Sequence, residues 1–274
     1  MACPGTSGTV AQVYQRYHQL NGGVHPQASL IRVVMANTAD DILNAGPDFK
    51  SGYGRINGLN AVKALEQQRY KIDSINNGAL KVDSVYLGTG LLKWKVALAW
   101  TDKEAASLAT KALVYNLDLY VITPIGDTVR PWKLDTLNRN NLAYRGIDSI
   151  NNLEQVTIDT PAAGYYKIYV KGTAVPTAPQ VYATTWEPVN KGVTVIFPNG
   201  GESLIPGNTY QIRWDAYFSG TSNANIEYSL NNGATWTTIT VGTNLALKTI
   251  NWTVPNVSSS MARIRINGAL SDMS

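Results

Sequence analysis

Cysteine and histidine are almost missing from this chain. The single cysteine, Cys3, excludes an internal disulfide framework and a cysteine-based zinc site. Only two histidines, His18 and His25, are available as general bases. A nucleophilic active site built from this chain alone therefore has few candidate members.

Charged residues and long apolar runs are also scarce. Charged residues make up 15% of the chain, against about 25% in an average globular protein. The 23 basic residues form no run, so we expect no nucleic-acid partner. No apolar stretch approaches the roughly 18 residues of a membrane-spanning helix. The first eight residues lack the charged and apolar regions of a signal peptide, so we expect no export signal in this chain.

Hydrophobic residues and turn formers are abundant. The hydrophobic fraction of 44% supports a sizeable core, and 23 glycines with 15 tyrosines are typical of a β protein with many turns. A length of 274 residues suits two or three domains. The patterns predict a mainly β fold with an N-terminal helical segment, divided into zones 1–68, 70–188 and 192–274.

Residues 1–68 follow a helical pattern. Val10, Val13 and Tyr17 share a 3.6-residue spacing that ends at Asn21-Gly22-Gly23, and two further helices are predicted over 26–39 and 59–65. Their apolar faces need a cover, which we expect to be the following β zone or a second copy of the chain.

The other two zones alternate with a period of two. The second zone has six predicted strands, over 79–86, 92–100, 113–123, 155–159, 165–171 and 181–186, and is predicted to be a β-barrel or jelly roll. After a predicted linker over 187–192, six strands follow over 193–197, 209–215, 225–229, 235–241, 248–254 and 262–267. That number and size favour an immunoglobulin- or fibronectin-like sandwich.

Three groups of residues are candidates for function. Ser7, flanked by glycines near the start of a helix, is the candidate nucleophile, but His18 lies about 16 Å away along the same helix, so an ordinary packed serine is favoured. The oxygen-bearing side chains of zone two suit either Ca²⁺ or the capping of turns. Trp214, Trp236 and Trp252 suit either the core or a sugar-binding platform.

The first zone resembles the C-terminal end of the catalytic domain of subtilisin-like (S8 family) serine proteases. Met1-Ala2-Cys3-Pro4 and Gly8 match the segment that follows the family's catalytic serine, and Gly52-Tyr53-Gly54-Arg55-Ile56-Asn57 matches its closing segment. In this register the nucleophile would precede Met1, and the family's catalytic Asp and His lie further upstream. The resemblance implies a non-proteolytic fragment of a secreted bacterial protease. The competing register makes Ser7 the nucleophile of a minor, esterase-like hydrolase.

The second zone resembles the β-barrel that follows the catalytic domain in one branch of these proteases. The matching motifs include Ala99-Trp100-Thr101-Asp102, Tyr115-Asn116-Leu117-Asp118-Leu119 and Asn151-Asn152-Leu153-Glu154. The resemblance implies calcium as a cofactor, with the ligand candidates Asp102, Asn116, Asp118, Asn152 and Glu154.

The third zone looks like a sandwich repeat of secreted bacterial proteins. Phe197-Pro198-Asn199-Gly200-Gly201-Glu202 and Trp252-Thr253-Val254-Pro255 are among its motifs, and a final strand is expected beyond Ser274. The partners that follow are the parent protease domain, or self-association through the N-terminal helices. A carbohydrate- or surface-binding module, with a glycan or polypeptide ligand, is the alternative function.

Overall fold

The computed structural model describes residues 2–177 and 179–274. The chain divides into two compact units. We call the part that ends at Pro188 the first unit, and Val189–Ser274 the second unit.

Three helices open the first unit, and they follow the predicted pattern closely. Their bounds are α1 (Ala2–Leu20), α2 (Ala28–Thr38) and α3 (Gly58–Glu66). The chain after α1 turns through Gly22 and Gly23, whose φ angles of 61° and 90° suit glycine. Asn57 caps α3, since its side chain accepts a hydrogen bond from the Asn60 N–H. Within the described residues no helix is long and apolar enough to cross a membrane.

Ten strands build the rest of the first unit. They are β1 (Tyr70–Ile75), β2 (Leu80–Leu87), β3 (Leu91–Trp100), β4 (Asn116–Ile122), β5 (Thr128–Val129), β6 (Trp132–Lys133), β7 (Tyr144–Arg145), β8 (Leu153–Asp159), β9 (Gly164–Ala174) and β10 (Gln180–Asn190). They form two four-stranded sheets, in the orders β1-β10-β3-β8 and β2-β9-β4-β5, and a separate pair, β6-β7. We call the two four-stranded sheets the helix-covered sheet and the outer sheet.

Alternation along β3 explains how the helix-covered sheet has two buried faces. Trp94, Val96, Leu98 and Trp100 point to one face and pack with the apolar side chains of the outer sheet. Ala97 and Ala99 point to the other face, where they join a core formed by the helices. Their small side chains let the helices lie close to the sheet. The apolar faces of the helices are therefore covered by this sheet, which is one of the two covers that the sequence predicted.

Leu30, Val33 and Val34 of α2 are fully buried in that second core, together with Val13 of α1 and Leu65 of α3. The helical segment 1–68 and the zone 70–188 therefore share this hydrophobic core. A mainly β protein with an N-terminal helical segment is confirmed.

No closed barrel is present in the part of the chain that the structure describes. β4 is an inner strand of the outer sheet and β8 an edge of the other, and the two lie side by side. Their backbones do not form a ladder. Instead, the Leu119 N–H donates to the Glu154 carboxylate at 2.7 Å. A side chain thus bridges the gap between the two strands. Of the predicted β-barrel or jelly roll, the closed barrel is wrong, and the strands form two stacked sheets instead.

Seven strands build the second unit. They are β11 (Gly192–Phe197), β12 (Thr209–Tyr217), β13 (Asn223–Ser229), β14 (Thr237–Asn244), β15 (Thr249–Thr253), β16 (Arg263–Gly268) and β17 (Asp272–Met273). They form sheets in the orders β11-β12-β15 and β14-β13-β16-β17, with a core around Trp214, Ile226 and Ile264. The predicted linker is wrong in one respect: β10 continues to Asn190 and β11 begins at Gly192, so most of that segment is strand.

Candidate functional site

Three of the five predicted calcium ligands meet at the gap between β4 and β8. Asn116 and Asp118 are two residues apart on β4 and therefore face the same side, and Glu154 reaches over from β8. The Asn116 amide lies 3.5 Å from Asp118 Oδ1, and the Thr173 hydroxyl also bonds to Asp118. All three predicted ligands are buried, with relative exposures of 7%, 8% and 1%.

Glu154 is the most deeply buried carboxyl of this group. Burial raises the pKa of Glu154 well above its usual value, and the nearby carboxylates of Asp118 and Asp148 raise it further. The Leu119 N–H and the Arg130 guanidinium act in the opposite direction.

Two buried oxygen atoms in this cluster have no hydrogen-bond partner among the described residues. They are Asn116 Oδ1 and Glu154 Oε1. Buried acceptors are nearly always satisfied, so an amide oxygen and a carboxylate oxygen that are both unpaired beside the Asp118 carboxylate need an explanation. Carbonyl and carboxylate oxygens are the ligands that Ca²⁺ takes, and Asn116, Asp118 and Glu154 fit that chemistry.

Asp102 and Asn152, the other two predicted ligands, form hydrogen bonds with backbone groups of distant segments. The two carboxylate oxygens of Asp102 accept hydrogen bonds from the Val114 and Tyr115 N–H groups at 2.8 and 2.9 Å. The Asn152 amide donates to the Trp100 carbonyl at 3.1 Å. These contacts join segments 12 to 52 residues apart and are not caps of a local turn, so they do not decide between calcium binding and turn capping. Within residues 2–177 and 179–274 no group of three His, Cys, Asp or Glu side chains could hold a metal. Calcium binding stays a prediction.

Arg32 joins the helices to the loop that carries Asn152. Its guanidinium donates to the carbonyls of Trp100 and Asn152 at 2.8 and 2.6 Å. A pocket of about 200 Å³ lies in the same unit, lined in part by Asp48 and Asp148. Both carboxylates accept hydrogen bonds from backbone N–H groups of their own loops, so these contacts give them a loop-organising role.

Ser7 lies exposed on the first turns of α1. The helix is continuous to Leu20, so His18 stays about 16 Å away along its axis. The His18 ring is instead beside His25, at a centroid distance of 5.2 Å. The structure does not bring Ser7 together with either histidine, and the role of Ser7 as a nucleophile stays a prediction.

The three tryptophans of the second unit have different surroundings. Trp214 is 1% exposed and its indole N–H donates to the Leu245 carbonyl at 2.9 Å. The Arg265 guanidinium covers the Trp236 ring at 4.2 Å. Trp252 is partly buried and lines a groove. The sequence gave no signal for this difference, because each tryptophan lies in or beside a predicted strand.

A buried polar network beneath α2 was missed by sequence reasoning. The Asn37 amide donates to the carbonyls of Lys95 and Thr185, each at 3.3 Å, and its oxygen accepts from Gln155 at 3.1 Å. The Lys95 ammonium donates to the Ala39 carbonyl at 2.8 Å, while Arg69 pairs with Glu187. Asn37 lies on the same face of the predicted helix 26–39 as Leu30 and Val34. A polar residue among apolar ones was the only feature of the sequence that could have indicated a buried polar network.

No protein-family model matches this chain. A curated protein of Dictyostelium discoideum, described as "Serine protease/ABC transporter B family protein tagA", is 26% identical over 215 residues. The match covers 72% of this chain, and the chain spans only 12% of that relative's length.

Two solved structures are similar at low identity. The propeptide form of the Bacillus licheniformis lipase BlEst2 is 12% identical, with 75% of this chain and 40% of that chain covered and a TM-score of 0.25. The adhesin domain of Epf from Streptococcus pyogenes is 10% identical, with 70% and 68% covered and a TM-score of 0.27. The chain is thus distantly similar in sequence to part of a protein named as a serine protease.

Proposed function

We propose that this chain is an accessory module of an extracellular serine protease and that it is not itself a peptidase. The observation that carries the proposal is the shared core of the first unit. Residues 2–66, which resemble the end of a protease catalytic domain, pack through α1, α2 and α3 onto the helix-covered sheet. A β module joined in this way holds that part of a catalytic domain firmly. The distant relative named as a serine protease supports the same link.

The proposed partner of the helical segment is the rest of the catalytic domain. The inner faces of the helices are buried, whereas several large apolar side chains between residues 20 and 59 are exposed. Val24 is 59% exposed, Leu43 73%, Phe49 51% and Leu59 63%. The rest of the catalytic domain would remove this apolar area from water by covering these side chains.

Calcium is the proposed cofactor of the first unit. Asn116, Asp118 and Glu154 would hold the ion, which would supply positive charge to a buried cluster of oxygen atoms. The proposed role is structural, because the cluster lies at the gap between the two sheets.

Hydrolysis assays test the accessory role. Purified chain is incubated with casein, a chromogenic peptide and a short-chain ester, each with and without a covalent serine inhibitor. We expect no turnover, because no histidine lies within reach of Ser7. Inhibitor-sensitive peptide cleavage would contradict the proposal. Ester cleavage that is inhibited in the wild type and lost in Ser7→Ala would establish the esterase-like alternative instead.

A further inference from the structure

The second unit carries an open groove of about 650 Å³. Tyr228 of β13 and Trp252 of β15 line it, one from each sheet, with their ring centroids 5.5 Å apart. Loop residues 198–206 and 257–262 provide much of the remaining lining. A volume of this size lies within the range of small-molecule sites, which combine aromatic surface with a few polar groups.

The two charged side chains of the groove are already engaged. Glu202 accepts hydrogen bonds from the N–H groups of Asn199 and Gly200, the shortest at 2.8 Å. Arg263 donates from Nε to the Asn232 side chain at 2.5 Å and from Nη1 to the Ser274 carbonyl at 2.6 Å. A phosphate or an acidic peptide would meet the negative charge of Glu202 and a guanidinium whose Nε and Nη1 are already used within the protein. The lining therefore disfavours an ionic ligand.

Neutral hydroxyl groups remain available in the groove. The hydroxyls of Ser203, Ser258 and Ser260 make no hydrogen bond within the described part of the chain, and all three residues are exposed. The polar part of the lining disfavours a lipid, which would leave these hydroxyls without partners. An aromatic pair together with free hydroxyls suits a ligand that is apolar on one face and rich in hydroxyls at its edge.

We infer that this groove binds an uncharged saccharide chain. The rings of Tyr228 and Trp252 contact the C–H face of a sugar ring, and the serine hydroxyls exchange hydrogen bonds with the sugar hydroxyls. Of the three tryptophans in the second unit, Trp252 alone lines this groove. The inference does not depend on the accessory role of the first unit, and a lack of peptidase activity would leave it intact.

Calorimetric titration of the full chain with cellohexaose, laminarihexaose, xylohexaose and chitohexaose tests the inference. We expect at least one of these neutral saccharides to bind, with little change at high salt, because no ion pair forms. Trp252→Phe keeps an aromatic residue against the core and should weaken binding about fivefold, the equivalent of about 1 kcal/mol. Trp236→Phe, the matched change outside the groove, should leave the affinity unchanged.

The double variant Ser258→Ala/Ser260→Ala provides a second measurement that does not disturb the core. It should weaken binding by about thirtyfold, since each of the two lost hydrogen bonds contributes a factor of about five. The inference is overturned if none of the four saccharides binds, or if high salt abolishes binding. It is also overturned if Trp252→Phe and the serine variant both bind as the wild type does. Displacement of a bound saccharide by an alternating valine–threonine peptide would assign the groove to an added β-strand and reject the saccharide.

Discussion

Lys95 lies on β3 with its ammonium group buried beneath the C-terminal end of α2. Its exposure is 7%, and Nζ donates to the Ala39 carbonyl. Burial lowers the pKa of Lys95 to about 8, although the carboxylates of Glu187 and Asp40 oppose the shift and Lys93 adds to it. Asp41 also faces this site and favours the charged form. The cost of burying the ammonium is therefore only partly offset.

We predict that the contribution of Lys95 to stability increases as the pH rises above 8. In the unfolded chain a lysine has a pKa of about 10.4, so between pH 8 and 10 the unfolded state binds more protons than the folded state. Stability then rises with pH, by up to about 3 kcal/mol for this one group. Urea unfolding between pH 7.5 and 9.5 gives the free energy of unfolding of the wild type and of Lys95→Met. The difference between the two at each pH is the contribution of Lys95.

The exposed Lys111 provides the control for that measurement. Lys111→Met should follow the pH dependence of the wild type, whereas Lys95→Met should lose the rise. Parallel pH profiles for wild type and Lys95→Met would show that the buried ammonium does not titrate in this range.

At the scale of elements, the gap between β4 and β8 is where calcium should act. We predict that Ca²⁺ raises the midpoint of thermal unfolding of the chain, because an ion that binds only the folded state stabilises it by mass action. At a hundredfold excess over the dissociation constant the gain is about 2.7 kcal/mol. Glu154→Gln keeps an acceptor for the Leu119 N–H but loses the charge, so most of the calcium effect should disappear.

Asp135→Asn is the matched control for Glu154→Gln. Asp135 is an exposed carboxylate of the same unit whose oxygens accept hydrogen bonds from its own loop. The control should keep the full response to Ca²⁺. An unfolding midpoint that does not change with Ca²⁺ in the wild type would reject the calcium proposal.

Most elements were predictable from sequence because their signals are local. The period of two along β3 and β9 and the glycines after α1 act over a few residues. Strand β1 lay at the start of the β zone without a predicted segment of its own, and it owes its place to antiparallel pairing with β10, more than 100 residues later in the chain. The hydrogen bond from the Leu119 N–H of β4 to Glu154 could not be predicted from local patterns either, because it joins residues 35 positions apart.

At the scale of the whole molecule, the exposed apolar side chains of the helical segment determine how the isolated chain behaves. Without its proposed partner domain, the chain should self-associate through this surface, since apolar area exposed to water favours contact between copies. We predict a concentration-dependent dimer in sedimentation equilibrium. The double variant Phe49→Glu/Leu59→Glu should weaken the association at least about tenfold, because it places charges in the contact.

Leu108 and Leu137 provide the control, because replacing both with Glu adds the same charge as Phe49→Glu/Leu59→Glu. They are 100% and 97% exposed and lie outside the helical segment. Leu108→Glu/Leu137→Glu should associate as the wild type does. A wild-type chain that remains monomeric at all concentrations would contradict the docking surface.

The sequence by itself determined the class of the protein: helices first, then many antiparallel strands. These properties depend on composition and on spacing within a few residues. Only the tertiary structure decided which of several residues of the same type are accessible to a ligand. Trp214, Trp236 and Trp252 have equivalent sequence patterns, yet one is buried, one is covered by Arg265 and one lines a groove. Burial and the availability of a hydrogen-bonding atom depend on contacts between distant segments, and these contacts form only when the sheets pack.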